Sequence, residues 1–108
     1  MDDLQIRRIA NNEARFRAIN ERVTDTIERR SNEPVPRIMV VCECAFEDCR
    51  EMIDVSMEQY RHARSDARWF IVLPDHVVPE AEVMVEACDN HWIIQKLGVG
   101  ADVARQRR

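Results

Sequence analysis

Apolar residues near the start of the chain recur at helical spacing. Between Leu4 and about Arg30 there is neither glycine nor proline, and Ile9, Phe16 and Val23 follow at seven-residue intervals with Ile6, Ile19 and Ile27 beside them. That pattern predicts one long amphipathic helix over residues 1–31. At about 1.5 Å per residue it reaches roughly 40 Å, more than the diameter expected of the remaining domain. Part of it is therefore expected to project or to pair with another helix, although Asn12 interrupts the heptad where a coiled coil wants an apolar residue. Ser31-Asn32-Glu33-Pro34-Val35-Pro36 ends the helix and forms a linker, because proline cannot continue it.

After the linker the period changes. Arg37 to Val41 reads as a buried strand and Glu51 to Val55, alternating polar and apolar, as a half-buried one. Together they predict a hairpin. Ser56 followed by Gln59 fits a capping box, so Met57 to Arg64 is expected to be a short helix. Trp69 to Leu73 predicts a third strand stopped by Pro74. Pro79 suits the first position of a second helix reaching Ala87, with Glu80 and Glu82 against its N-terminal dipole. His91 to Leu97 predicts a fourth strand, and Gly98 onward a frayed tail. The expected class is α+β: a long N-terminal amphipathic helix (1–31), a small ββαβαβ domain (37–99) and a basic tail (100–108).

Composition narrows the setting. The 108 residues suffice for one domain, near the size at which a small core benefits from a structural metal. An apolar fraction of 45% beside 33% charged residues fits a water-soluble globule, and no apolar run approaches the length of a membrane span. The start Asp2-Asp3 is unlike a secretory signal, so a reducing cytoplasm is expected, with thiols free or metal-bound. Residues 38–99 carry five basic groups against twelve acids, a formal −7, which argues against a general phosphate-binding surface. Lys96 is the one lysine among sixteen basic residues, a bias that base composition alone explains.

The chemistry gathers at Cys42-Glu43-Cys44-Ala45-Phe46-Glu47-Asp48-Cys49, at the predicted hairpin tip. Small buried cysteines are the ordinary state of a free thiol, and that accounts for Cys88, but Cys44 and Cys49 flank a polar turn where burial is not expected. Three thiolates at this spacing point to Zn²⁺, which takes about four Cys or His ligands. On a regular strand Cys42 and Cys44 would hold their sulfurs about 6 to 7 Å apart, whereas tetrahedral Zn–S bonds of about 2.3 Å require about 3.8 Å, so the chain is expected to bend at Glu43 or Cys44. His76, after Leu73-Pro74-Asp75, is a candidate fourth ligand, with Cys88 and His91 as the competing pair. Glu43, Glu47 and Asp48 read as solvated turn acids, and His62 as a surface residue.

The helix segment Glu13 to Arg22, the run Val41 to Cys49 and the segment Arg68 to His76 together resemble a family of small, largely uncharacterised actinobacterial proteins. The resemblance covers most of the chain. It maps the family's Cys-Glu-Cys, four residues, Cys pattern onto Cys42, Cys44 and Cys49, and its later Pro-Gly-His onto His76. Asp75 stands where that family usually has glycine, and Cys88 is outside its pattern. The resemblance implies a Cys₃His zinc site and no established activity.

No enzyme is expected: there is no HExxH, no glycine-rich phosphate loop and no nucleophile elbow. The function these features favour is a small cytoplasmic zinc-binding adaptor or regulatory protein. Zn²⁺ on Cys42, Cys44, Cys49 and His76 would staple its body, and the helix would serve a protein partner or self-association. A zinc-thiolate redox sensor is the alternative, and a nucleic-acid-associated regulator using the arginine-bearing helix a weaker one.

Overall fold

The computed structural model describes Asp2 to Arg107, and its order is αββαβββα. Helix α1 (Asp3–Arg30) is closed at its N-terminus by a capping box between Asp2 and Gln5. Strands β1 (Arg37–Val41) and β2 (Met52–Ser56) form an antiparallel pair, with Val41 opposite Met52. Ser56 and Gln59 then make the expected capping box of α2 (Met57–Ala63). A second antiparallel sheet, in the order β3-β5-β4, is built from β3 (Trp69–Val72), β4 (Glu82–Ala87) and β5 (Trp92–Lys96). Helix α3 (Gly98–Gln106) closes the described chain. The α+β class and the long leading helix are as expected. Among the described residues no helix is long and apolar enough to cross a membrane.

Two elements differ from the sequence expectation. Residues 79–87 are a turn and an edge strand, with a bulge between Met84 and Glu86, where a helix was expected. The run Val83-Met84-Val85 carries the β-branched residues that a pleated edge accommodates, while the carboxylate of Glu82 accepts from the Val78 N–H at 2.7 Å and so shapes the entering turn. The expected frayed tail is α3, packed on α1, with Arg108 outside the described residues. Its glycines disguise it, yet Gly100 is there for close approach: a Cβ at that position would lie 3.1 Å from Cε of Lys96 and 3.5 Å from Cγ2 of Ile6.

The larger surprise is how α1 docks. Its buried residues are Ala10, Glu13, Ala14, Arg17, Asn20 and Thr24, four of them polar, whereas Ile19, Val23 and Ile27 of the apolar stripe are exposed. Burying polar groups is costly unless each finds a partner, and Glu13, Arg17 and Asn20 do. Arg17 donates to the carbonyls of Ala67 (2.6 Å) and Ala104 (2.8 Å) while its guanidinium lies 4.7 Å from the centre of the Phe70 ring. The side-chain amide of Asn20 exchanges two hydrogen bonds with Val41, accepting from its N–H at 2.9 Å and donating to its carbonyl at 2.8 Å, as a neighbouring strand would. Lys96 is fully buried and donates to Glu13 at 2.6 Å and Glu82 at 2.8 Å. The apolar core lies beneath this seam, with Val40, Ile53, Val55, Phe70, Ile71, Val72, Ile93 and Ile94 as its centre.

Candidate metal centre

β1 stops at Val41, and the backbone of Cys42, Glu43 and Cys44 leaves the hairpin to run beside the free edge of β3. The Cys42 N–H still donates across the hairpin to Glu51, but the Glu43 N–H donates to the carbonyl of Ile71, each at 2.9 Å. This is the bend that a Cys-x-Cys pair needs to bring two sulfurs onto one ion. Cys49 returns from the turn, its N–H bonded to the carbonyl of Phe46. His76 arrives from the loop after β3, where its N–H donates to the Leu73 carbonyl and Asp75 takes a left-handed φ of 69°. That conformation suits glycine, and Asp is among the few other residues that adopt it readily.

One ligand atom from each of Cys42, Cys44, Cys49 and His76 lies within 4.8 Å of every other. Nδ1 of His76 is 3.6 Å from Sγ of Cys42 and 3.7 Å from Sγ of Cys49. A tetrahedral ion with Zn–S of about 2.3 Å and Zn–N of about 2.05 Å sets its nitrogen and sulfur ligands about 3.6 Å apart. The donor set therefore fits Zn²⁺ in both chemistry and spacing. Cys88 and His91, the competing fourth ligands, are elsewhere: they line a depression with His62 and Glu86 on the other sheet. His62 is exposed and bonded to Glu86 at 2.6 Å.

The surroundings hold the ligands in place. Leu73 N–H donates to Sγ of Cys42 at 3.2 Å, and Phe46 meets the His76 ring edge-on with centroids 5.2 Å apart. Such outer partners orient ligands and tune the ion. Arg50 donates to the carbonyls of Glu47 and Cys49 and stacks over Phe16, fastening the knuckle to α1. The thiols differ sharply in acidity. A hydrogen bond from Cys42 holds Cys44 down at about 5, the same bond raises Cys42, and burial raises Cys49. Without a cation the pocket favours a single thiolate; a divalent ion would offset the cost of ionising all three.

Glu43 is the residue that sequence reasoning misplaced. Instead of a solvated turn acid it is fully buried, accepting from Ile71 N–H at 2.9 Å, from Asn20 at 2.7 Å, and from the guanidinium of Arg64. Its signal was in the motif: in an extended Cys-Glu-Cys the two thiols share one face and the glutamate takes the opposite one, which here is the α1 side. Glu47 and Asp48 are exposed, as expected. No family model, curated protein or solved structure matches this chain.

Proposed function

We propose that the chain is a zinc-stapled adaptor or regulatory protein of the cytoplasm, with Cys42, Cys44, Cys49 and His76 holding one structural Zn²⁺. The observation that carries this reading is the convergence of three thiols and Nδ1 of His76 within 4.8 Å. Four protein ligands complete a tetrahedron and leave no position for a reactive water, which separates structural from catalytic zinc. That supports a body that binds rather than catalyses. The staple would join the β1–β2 hairpin to the loop after β3, and Glu43, between two of the ligands, would carry its rigidity to Asn20 on α1 and to Arg64 after α2.

Elemental analysis of protein purified without chelator tests the reading. One zinc per chain is expected, lost or weakened in His76→Ala and retained in Cys88→Ala; metal-free fresh protein would defeat it. The lowered pKa of Cys44, about 5, supports a second reading, a redox sensor. In it, peroxide would take two electrons from two thiolates to form a disulfide, reduced to two waters by uptake of two protons, with release of the ion. Zinc loss at low peroxide equivalents would support that reading, and retention at large excess would exclude it, the outcome favoured by the burial of Cys42 and Cys44.

A further inference from the structure

The side of α1 turned away from the body carries an ordered charge pattern. Arg8, Arg15, Arg22 and Arg29 recur every seven residues and all are exposed. At about 1.5 Å per residue they form a file with one cation every 10.5 Å or so, drifting about 20° around the helix per step. The exposed apolar row Ile19, Val23 and Ile27 starts beside Arg15 and Arg22 at Ile19 and turns away from the file by about 40° per step, so that Ile27 is on the opposite flank from Arg29. No acid forms an ion pair with any of the four arginines among the described residues. The acids of α1 are mostly engaged elsewhere: Glu13 on Lys96, Glu21 near Arg17 and Arg64, and Glu28 on Arg61. Of the acids on α1, Asp25 is exposed beside the file, on the flank away from the apolar row, and the exposed Glu47 and Asp48 of the knuckle share a groove with Arg15 at its N-terminal half. Toward its N-terminal half the face opens into a groove of about 610 Å³ shared with the cysteine knuckle, where Arg15, Phe16 and Ile19 of α1 meet Arg50 and the acids Glu47 and Asp48.

We infer that this face docks an acidic amphipathic helix of a partner protein, with apolar residues at a and d and glutamate or aspartate beside them at heptad spacing. A partner helix repeats every seven residues, so its acids fall in register with the arginine file while its apolar seam covers Ile19 and Val23, with Ile27 on the flank opposite the file. A second copy of this chain does not fit. In an antiparallel pair the file would face its own symmetry mate, like charge against like, and in a parallel pair it would face positions 13 and 20, both buried in the body, and the aliphatic Ile27, none of them an exposed acid. A nucleic acid backbone would match the cations but leave the aliphatic row in water. An anionic bilayer would have to approach a chain of net charge −4 and gain only a narrow apolar row. The role assigned to this face rests on the adaptor reading; its geometry does not depend on metal occupancy.

The test uses the full zinc-loaded chain and a labelled synthetic peptide of about four heptads with leucine at a and d and glutamate at e and g, beside a lysine counterpart. Fluorescence anisotropy is expected to show binding of the glutamate peptide alone, weakened about 10-fold between roughly 50 and 300 mM salt. The Arg15→Glu, Arg22→Glu double variant should lose about 10-fold or more for the glutamate peptide and acquire affinity for the lysine one, a charge swap that misfolding cannot imitate. Four outcomes overturn the inference: no binding at about 100 μM peptide, equal binding of both peptides, tighter binding to phosphatidylglycerol vesicles, or a concentration-dependent dimer that Val23→Asp dissolves. Zinc retained without peptide binding refutes this inference alone, and peptide binding by protein that is metal-free as purified without chelator refutes the metal reading alone.

Discussion

Replacing Lys96 with methionine removes the one ammonium from a buried site that holds two carboxylates. Nζ of Lys96 lies 2.6 Å from Glu13 and 2.8 Å from Glu82, and all three side chains are sealed from water. Deleting one member of a buried ionic cluster leaves uncompensated charge and costs about 3–5 kcal/mol. A domain of this size has roughly 5–15 kcal/mol in all, so Lys96→Met is expected to lower Tm by 12 °C or more, at about 4 °C per kcal/mol. Glu13→Gln should behave differently. One ammonium cannot balance two carboxylates, and burial first, then Glu82, raises the Glu13 pKa well above its ordinary value. Its Oε2 also accepts no hydrogen bond. An amide resembles the protonated acid, so Glu13→Gln should cost less than about 1 kcal/mol at neutral pH. The sign with pH follows. A carboxyl whose folded pKa is raised contributes stability that is complete below its unfolded value of about 4.3 and is lost as pH rises through the folded value. Relative to the parent, Glu13→Gln should therefore gain stability as pH rises above about 4.3. Urea unfolding of the three proteins across that range measures all of this. If Glu13→Gln is as damaging as Lys96→Met at pH 7, the site holds two ionised carboxylates and the charge count is wrong.

Glu43→Ala removes three hydrogen bonds and leaves the Arg64 guanidinium without its buried carboxylate, so a loss of about 3–5 kcal/mol is expected by chemical denaturation. Zinc affinity should weaken with it, measured by competition with a chromophoric chelator; unchanged affinity would show that the knuckle is independent of α1. At the left-handed Asp75, Asp75→Val should cost about 1–2 kcal/mol and Asp75→Gly should not destabilise; equal effects would show that the turn relaxes. Burial lowers the pKa of His91 below its ordinary 6.5. Its neutral form is the one the fold favours, so its contribution is complete above about 6.5 and falls as pH drops below that value. The stability slope between pH 6.5 and 5 should flatten in His91→Gln, and a slope identical to the parent's would remove His91 as its source.

Local chemistry was legible where neighbours in sequence decide it. The capping box at Ser56 and Gln59, the Pro-rich stop after α1, the β1–β2 hairpin and the bend demanded of Cys42 and Cys44 all follow from residues within a few positions of one another. The donor types of the candidate metal centre were legible for the same reason, because a tetrahedral ion such as Zn²⁺ restricts both ligand identity and spacing. The fourth ligand was legible only as a choice, His76 with Cys88 or His91 as alternatives, since the path of β3 and the left-handed turn at Asp75 bring His76 to the knuckle. The strand at Glu82–Ala87 was hidden because an edge strand with exposed valines has no inward alternation to betray it.

Periodicity alone determined that residues 3–30 form one helix; which face it buries was decided by tertiary structure. The hydrophobic effect is non-directional and would have been served by turning Ile19, Val23 and Ile27 inward. The helix instead meets a surface of strand edges, carbonyls and one buried lysine, and such groups demand directional partners once water is removed. Glu13, Arg17 and Asn20 supply them from a single face. That match between distant backbone groups and three polar side chains exists only in the assembled fold, and it is what leaves the apolar row and the arginine file facing outward.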